Sequence, residues 1–494
     1  MPADVAPGTT YLPSVGLLYI FNLIVGTGAL ALPKAFQTAG WGLSIVVLAV
    51  SALISYVAAT FVIEALSVAN AVHAKTTRRS STTDYDDVSV SEGGPSSFEI
   101  VQRFEVSQMA SMFLGPKAVF FSHLFMNVYL FGDLAIYSTT VPKSAMNILC
   151  SGFNASLVTS QDPCWAHFPL FFTRMNVYRI CVIGFIIACL PMVLAGITKT
   201  KYLQLATTLS RWSAFILMIC LATSQLISDG PGGKPPAANV HGFGSLFGCA
   251  VYAFMCHHSI PGLVTPMSSK AGIFGKLSMI YMVVLMFYFT LSLTGAFTFE
   301  HVQDIYTLNF WHDDYTSAFY LVIDYFLALF PVFTLTTNYP IVAITLINNV
   351  KVVKDMFYPQ GSGSTLSEEE TLLSDDDEVA PRPRSSSLRS ETRTPSDILI
   401  PLIVIGLPTL ISLATDNVLL LAAATGSYPG VGVQFIIPCL LVLSARKIAK
   451  SQLNFPVPKK NASPFQSDAW PIFMFLWAIF SILMVTFNLI GVQF

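Results

Sequence analysis

Charged residues are scarce in this sequence. They make up 11% of its 494 residues, whereas hydrophobic residues make up 53%. An ordinary soluble domain carries roughly 25% charged residues, so the composition excludes that class. The 26 basic residues form no stripe and the net charge is -2, so nucleic acid is not expected as a partner. The expected surroundings are the lipid bilayer.

The amino-terminal segment also lacks the basic residues that open a secretory signal peptide. Met1 to Thr10 contains no Lys or Arg, and the apolar run behind it is longer than the core of a signal peptide. We therefore expect that run to remain as a span. A spanning helix needs about 20 mostly apolar residues, and the windows of this kind predict an all-α polytopic fold. The eleven predicted transmembrane helices cover residues 12–36, 41–69, 118–141, 177–198, 202–227, 244–268, 277–298, 317–350, 398–414, 418–445 and 470–492.

Basic residues are rare in every second loop. Cytoplasmic loops retain Lys and Arg during insertion. With the amino terminus inside, the inner loops hold about four times as many basic residues as the outer loops. We therefore predict that residues 1–11 are cytosolic and, with an odd number of spans, that the carboxyl terminus lies outside.

Two predicted inner loops, 73–100 and 359–396, have too little apolar surface to offset the entropy of ordering, and we predict both to be disordered. Glu368 to Leu373 in the second loop fits the acidic dileucine pattern that trafficking adaptors bind. Tyr85 to Val88 in the first loop fits a tyrosine-based pattern. The patterns indicate sorting to endosomes or lysosomes. The alternative is that both loops are solvated linkers, which leaves the plasma membrane as the location.

Of the eight cysteines, Cys150 and Cys164 share the predicted outer loop 142–176. That loop faces an oxidising compartment, so we predict a disulfide bond that stabilises the protein by about 3 kcal/mol. Asn154 in the same loop begins an Asn-Ala-Ser acceptor for glycosylation. The remaining cysteines lie in spans without zinc-type spacing, so no structural metal site is expected.

The first span contains Gly26-Thr27-Gly28, with Pro33 five residues further on. Relative to Ala, Gly destabilises a helix by about 1 kcal/mol and Pro by about 3 kcal/mol, so this segment favours unwinding. Unwound backbone inside a membrane is tolerated only where it faces protein or a water-filled cavity. The alternatives are a kink filled by a neighbouring helix and a binding site.

The sixth span carries a similar interruption. It places Cys256, His257 and His258 before Pro261-Gly262 within an apolar run. If the chain contains two five-helix halves, spans one and six correspond, and paired broken helices mark the midplane site of inverted-repeat transporters. The free N–H and C=O groups of such breaks bind a carboxylate and a cation. An α-amino acid carries both kinds of group.

These interrupted spans resemble those of the amino-acid/auxin permeases, a family of the amino acid-polyamine-organocation superfamily. The similar segments are Phe21 to Phe36 with Ala39-Gly40-Trp41 in the first helix, Ala253 to His257 in the sixth and Gln434 to Pro438 in the tenth. One branch of the family is closer still, through segments such as Tyr129 to Tyr137.

The resemblance implies the five-plus-five inverted-repeat fold of the bacterial leucine transporter, with helices one and six broken. The two halves would be residues 12–227 and 244–445, and residues 470–494 would form the eleventh helix. The resemblance also implies where the solute binds. The expected contacts are the backbone of Gly26, Thr27 and Gly28, as a cradle for a carboxylate, with Cys256 and His257 beside it.

The same resemblance implies a coupling-ion site for sodium or a proton, and no other cofactor. Asn22 matches the first-helix Asn that supports sodium binding in sodium-coupled members. Hard cations favour carbonyl and hydroxyl oxygens. The eighth span offers such ligands at Thr334, Thr336, Thr337 and Asn338.

Ionisable residues within spans leave alternatives open, because a buried charge there normally faces a partner or a cavity. Asp133, near the middle of the third span, contacts the solute or makes a structural hydrogen bond. Glu64 and Arg211, towards cytosolic ends, snorkel or pair with each other. His258 relays protons or is a core histidine. Asp324 lies near the outer end of its span, where water hydrates it.

The leading function is secondary active transport, by alternating access, of amino acids or similar small zwitterionic solutes in symport with the coupling ion. The alternative is a non-transporting sensor that uses the same pocket and signals through cytosolic loops. An enzyme is not expected. Neighbouring residues such as His257 and His258 point about 100° apart on a helix, and no nucleophile motif accompanies them.

Overall fold

A computed structural model shows how the chain is arranged. It describes residues 10–81, 95–150, 161–165, 172–194, 201–311, 318–357 and 395–490. Regular secondary structure in this part is helical, apart from isolated bridges between Tyr11 and Met267 and between Pro163 and Thr173. The predicted glycosylation acceptor and both sorting patterns lie outside the described residues, at Asn154, Tyr85 to Val88 and Glu368 to Leu373.

The helices follow the predicted spans, and some spans comprise two helices. In chain order they are α1 (Pro13–Ile24), α2 (Gly28–Ala39), α3 (Trp41–Ser81), α4 (Val106–Phe113), α5 (Pro116–Leu149), α6 (Arg174–Leu194), α7 (Lys201–Ser228), α8 (Phe243–Ala253), α9 (Ile260–Val264), α10 (Ile273–Thr298), α11 (Ala318–Phe357), α12 (Pro395–Ala414), α13 (Val418–Thr425), α14 (Ile437–Gln452) and α15 (Ala469–Ile490). Short 3-10 helices cover Pro95–Phe98, Val240–Gly242 and Tyr306–Phe310, and π-helical turns cover Gly426–Gly430 and Gly432–Ile436.

Most of these helices have the length and apolar composition of membrane spans. Within the described residues 8 helical segments qualify, and α1 with α2, bent by 50° at their break, forms a ninth. The other two predicted spans coincide with the shorter apolar helices Val240–Ala253 and Leu399–Ala414. Large apolar side chains such as Ile187, Met282 and Leu476 are exposed, as on a surface that meets lipid. The chain is a multi-pass membrane protein.

The core of the bundle is built around α3, α5 and α8. α3 packs against α8, α10 and α14, and α5 packs against α6, α11 and α12. Phe36 of α2, Phe61 of α3 and Phe247 of α8 are fully buried there. The first and sixth spans therefore run through the interior of the bundle and not along its lipid-facing surface.

The side of the bundle on which α1 begins, called here the amino-terminal side, joins the first and sixth spans. Tyr11 N donates to Pro266 O at 3.1 Å. The Tyr11 hydroxyl donates to Leu263 O at 2.5 Å. Burial raises the pKa of Tyr11 to about 12, so at neutral pH the hydroxyl keeps the proton that it donates.

A buried ion pair between α3 and α14 lies on the same side. Arg446 Nε and Nη2 donate to the two carboxylate oxygens of Glu64 at 2.8 and 2.9 Å. Ser463 N also donates to Glu64 at 2.8 Å. The Glu64 side chain is only 2% exposed. The predicted alternatives for Glu64, snorkelling or pairing with Arg211, are therefore wrong, because a basic residue far along the chain holds it.

The opposite side of the bundle, called here the disulfide side, carries the predicted bridge between Cys150 and Cys164, which the structure contains. A network of charges lies nearby. Lys143 Nζ of α5 donates to Asp304 Oδ2 and to Asp416 O, both at 2.8 Å. These contacts tie α5 to the segments that precede α11 and α13.

Two predicted loops begin or end differently in the structure. The predicted disordered loop 73–100 is wrong at both ends, because α3 continues to Ser81 and Phe98 is fully buried in the core. The segment is polar on average, but its end is held by the buried Phe98 ring and by hydrogen bonds from Ser67 and Asn461 to Phe98 O. The predicted outer loop 142–176 begins later, because α5 continues to Leu149.

The Glu64 ion pair yields a stability prediction. Glu64→Gln leaves the Arg446 charge without its carboxylate, and removing one partner of a buried pair lowers the free energy of unfolding by about 3 kcal/mol. Thermal unfolding of the purified protein in nanodiscs measures the change. The control is Glu99→Gln, which breaks an exposed pair with Lys460 and leaves the melting temperature unchanged. Equal melting temperatures for the two variants would contradict the prediction.

The disulfide bond yields a second prediction about stability. Cys150 and Cys164 are separated by 14 positions, and in the chain-entropy model a loop of this length stabilises by about 3 kcal/mol. Cys150→Ala therefore lowers the melting temperature under non-reducing conditions. Cys220→Ala, which removes an exposed free thiol, serves as the control. A Cys150→Ala protein that melts with the wild type would show that the bridge adds no stability.

Candidate functional site

The first span is broken between α1 and α2. Val25 adopts φ -78° and ψ 76°, outside the helical region. An added Cβ at Gly26 would meet no atom closer than 3.8 Å, so the backbone there is loosely surrounded. Pro33 within α2 lacks an N–H and leaves the Ala29 carbonyl without its helical donor. The interruption lies where the glycines and the proline predicted it.

The sixth span is broken between α8 and α9. α8 ends at Ala253, and α9 begins at Ile260 with Pro261 in its first turn, where a missing N–H has no structural cost. Cys256, His257 and His258 lie in the irregular segment between the two helices. The break therefore places three chemically active side chains on non-helical backbone.

The two breaks meet. A Cβ added at Gly28 would lie 2.7 Å from Ala253 Cα, so only a glycine permits this approach. The hydroxyl of Tyr288, on α10, lies 2.9 Å from both Ile24 O and Ala253 O. One buried phenol thus serves a carbonyl from each broken helix, and these carbonyls have lost their helical donors.

The donor side of the first break remains open. Gly28 is the first residue of α2, and the N–H groups of Thr27 and Gly28 make no backbone hydrogen bond in the part of the chain that the structure describes. Free N–H groups at the positive end of a helix dipole form a binding site for an anion. Backbone N–H groups are therefore available as donors at this break, and their binding of a carboxylate stays a prediction.

Side chains around these donors form a central polar cluster of Thr27, Tyr129, Asp133, Tyr252 and His258. Thr27 Oγ1 lies 2.9 Å from the Tyr252 hydroxyl. The Tyr129 ring lies 6.3 Å from that of Tyr252 and 5.8 Å from that of His258, measured between centroids. The hydroxyls of Tyr129 and Tyr252 face the Asp133 carboxyl group. The cluster joins both breaks to the middle of α5.

Two atoms of the cluster lack a protein partner. Asp133 Oδ1 and His258 Nδ1 are buried without a hydrogen bond in the described residues. The Asp133 residue is 7% exposed. A buried polar atom without a partner costs about 1–3 kcal/mol. Each such atom in a native protein needs an explanation, and one explanation is a bound polar molecule. The unpartnered atoms mark a place where a solute would supply the missing hydrogen bonds.

Cys256 and His257, which the resemblance singled out, point elsewhere. Cys256 Sγ lies 3.2 Å from the Tyr281 hydroxyl of α10. His257 Nε2 donates to Ser55 O of α3 at 2.9 Å. Gln434, in the second π-helical turn, donates to the Ser55 hydroxyl. These contacts tie the sixth break to its surroundings, and the neighbouring His258 is the imidazole that faces the cluster.

The predicted coupling-ion residues Asn22, Thr334, Thr336 and Thr337 make hydrogen bonds with other groups of the protein, and their role stays a prediction. The hydroxyls of the three predicted threonines on α11 donate to carbonyls of their own helix at 2.6 to 2.9 Å, and these residues are Thr334, Thr336 and Thr337. Asn338 is half-buried. Asn22 Nδ2 donates instead to Thr208 Oγ1 of α7 at 3.0 Å. Within the described residues no hydrogen bond joins the α11 side chains to Asn22.

Arg211 and Tyr288 were not predicted as functional residues from the sequence. Arg211 Nη1, on α7, donates to Asn22 O at 2.7 Å and to Val25 O at 3.2 Å. It therefore neither snorkels nor pairs with Glu64. An arginine within an apolar span was itself a signal, because such a charge normally faces a functional partner. The tyrosine gave no signal, since an aromatic residue is ordinary in a membrane helix.

The chain is similar to known membrane proteins over nearly its whole length. The family profile described as "Transmembrane amino acid transporter protein" matches residues 14–490. Transmembrane protein 104 homolog of Caenorhabditis elegans is 62% identical over 99% of this chain and 99% of its own length. Transmembrane protein 104 of Homo sapiens is 38% identical over 95% and 94%. The homolog of Dictyostelium discoideum is 33% identical over 96% of both chains. All three relatives carry the name transmembrane protein 104 or its homolog.

The close approach of the two breaks predicts different effects of an added methyl group at Gly28 and at Gly26. Gly28→Ala places a methyl group against the Ala253 backbone, and overpacking of this kind destabilises by about 1–3 kcal/mol. Gly26→Ala meets only ordinary van der Waals contacts and leaves stability unchanged. Thermal unfolding and detergent-stable yield of the two variants provide the test. If both variants behave alike, the helices do not touch at Gly28.

Proposed function

This chain belongs to the transmembrane amino acid transporter family, and we propose that it is a secondary active transporter of amino acids or similar small zwitterionic solutes. The single observation that carries the proposal is the meeting of two broken helices at a buried polar cluster. Members of the family are transporters, not enzymes, and no covalent step is required of the residues described here.

The proposed architecture has eleven spans in a five-plus-five inverted repeat. α2 packs against α8, and α1 packs against α9. The second half of the first span thus lies beside the first half of the sixth, so the two spans run antiparallel. Spans that occupy equivalent places in two inverted halves have this relation. The residue ranges 12–227 and 244–445 remain the proposed halves, followed by the eleventh helix.

Recognition of the solute follows from the groups at the first break. The free N–H groups of Thr27 and Gly28 suit the carboxylate of an amino acid, since they offer hydrogen bonds and a positive dipole without a buried counter-charge. The Asp133 carboxylate suits its ammonium group, and the phenols of Tyr129 and Tyr252 lie beside that carboxylate. A bound zwitterion would then give hydrogen-bond partners to the N–H groups of Thr27 and Gly28 at one end and to Asp133 at the other.

Transport by alternating access requires that each side of the bundle open in turn. The amino-terminal side is closed by the Tyr11 contacts and by the pair of Glu64 and Arg446. The disulfide side is closed by the network of Lys143, Asp304 and Asp416. Neither set includes a covalent bond between moving helices, so each set can break while the other holds. We propose that these contacts are the two gates of the carrier.

The orientation proposed from the basic residues places the amino terminus in the cytosol. The bridge between Cys150 and Cys164 lies on the side opposite the start of α1, and disulfides persist in oxidising, non-cytosolic compartments. This supports the same orientation by an independent route. Endosomal or lysosomal membranes and the plasma membrane are the proposed locations, with trafficking adaptors as proposed partners of Glu368 to Leu373.

Uptake into liposomes tests the transport proposal. Purified protein is reconstituted and offered a panel of labelled amino acids under imposed sodium and pH gradients, and we expect saturable uptake of at least one of them. Asp133→Asn removes the charge that would meet the ammonium group, and raises the KM about tenfold, the effect of one lost charged hydrogen bond.

The matched control is Thr139→Val, on the same helix. Thr139 is equally buried, but its hydroxyl donates to Ser412 of α12 at 2.9 Å, away from the cluster, so uptake persists. Solute binding without flux would contradict the carrier and favour the sensor, which uses the same pocket. A KM that is unchanged by Asp133→Asn would remove that residue from the binding site.

A further inference from the structure

A positive charge from α7 reaches the break in the first span. Arg211 Nη1 lies 2.7 Å from Asn22 O and 3.2 Å from Val25 O. These carbonyls belong to the end of α1, where the break removes the intrahelical donors. The guanidinium therefore caps the negative end of a half-helix dipole.

Neighbouring contacts fasten α7 to α1 around this charge. The Trp212 indole stacks on Phe21 with ring centroids 4.4 Å apart, and Thr208 accepts the hydrogen bond from the Asn22 side chain. Phe21 and Asn22 follow each other in α1, so α7 grips that helix beside the break. Arg211 is thus positioned by packing on both sides of it and is not a mobile surface cation.

The guanidinium has no acidic partner in the described residues, where no carboxylate oxygen lies within 4.0 Å of it. The hydroxyls of Tyr137 and Tyr288 are its polar neighbours. Its charge is therefore balanced by carbonyl dipoles and hydroxyls. A charge without a counter-ion is expensive within a membrane span, even when it is half-buried in the protein, so its place at the break needs a functional reason.

A sodium ion would need the same oxygens. Hard cations bind carbonyl and hydroxyl oxygens, and the carboxyl ends of half-helices coordinate coupling cations in carriers with broken spans. Here Asn22 O and Val25 O already accept hydrogen bonds from a cation, and a second positive charge beside it is repelled. The residues present therefore do not fit a sodium ion at the first break.

We propose that Arg211 is a tethered cation that fills the coupling-ion position of the first span, so that solute binding and transport do not require sodium. The inference rests on the proposed transport function, because it concerns the ion that would drive it. A tethered guanidinium stabilises the broken helix as a bound ion would, but it does not travel with the solute. Of the two coupling ions expected from the sequence, the proton remains.

The first experiment uses the wild-type protein in nanodiscs and liposomes. Thermal unfolding is recorded in sodium chloride and in N-methyl-D-glucamine chloride at equal ionic strength, and uptake is measured with each salt outside. We expect the same melting temperature and the same uptake rate in both salts. Stabilisation or uptake that is specific to sodium would overturn the inference.

The second experiment removes the charge. Arg211→Ala vacates the two carbonyls, so this variant gains a sodium-specific rise in melting temperature and loses uptake in the sodium-free salt. Arg211→Lys keeps a cation and stays indifferent to sodium. The matched control is Arg179→Ala, because Arg179 also donates to a helix-end carbonyl, Leu413 O at 3.2 Å, but far from the breaks.

The outcomes separate this inference from the transport proposal. A folded Arg211→Ala protein that responds to sodium no more than the wild type does would overturn the tethered-cation role. Should Arg211→Ala fail to fold, Arg211→Gln and the wild-type salt comparison still decide the question. If no labelled solute enters under any gradient while the melting curves behave as expected, the transport function fails and the cation role stands.

Discussion

The structure depends on one constraint, that backbone polar groups inside a bilayer must find partners within the protein. A continuous helix meets it automatically, but the first and sixth spans do not, because each is interrupted. Their freed carbonyls are served by the Arg211 guanidinium and the Tyr288 phenol. Their freed N–H groups at Thr27 and Gly28 donate no backbone hydrogen bond among the residues that the structure describes. In the proposed account this asymmetry leaves donors for a solute and places the Arg211 charge where a coupling cation would bind.

The surrounding helices make this arrangement possible through close packing. A Cβ at Gly28 would collide with Ala253, and one at Gly426 would lie 1.9 Å from Gly248 O. α8 is thus held tightly between α2 on one face and the first π-helical turn on another. Because π-helical turns concentrate at functional sites, their position beside the sixth break agrees with a bundle specialised around these two spans. The contacts on the amino-terminal side and on the disulfide side hold both broken spans in place.

Much of the fold could be predicted from the sequence, because its signals are local. Apolar windows coincide with the nine segments that qualify as spans in the described residues, and two glycines with a proline lie at the first break. The partners of the charged side chains within the bundle are long-range, and no local pattern identifies them. Arg211 meets a carbonyl 189 positions away, and Arg446 meets Glu64 at 382 positions. Helical periodicity also could not decide between His257 and His258, because both lie on irregular backbone where the 3.6-residue repeat does not apply.

The most direct test is a cryo-EM map of the full chain in nanodiscs, recorded with and without a saturating amino acid that the liposome assay identifies. We expect α1 and α8 to end at the two breaks in both maps, with the Arg211 guanidinium on the α1 carbonyls. In the presence of the solute, density should bridge the N–H groups of Thr27 and Gly28 to the Asp133 carboxylate. Continuous first and sixth helices, or a solute bound away from both breaks, would contradict the account.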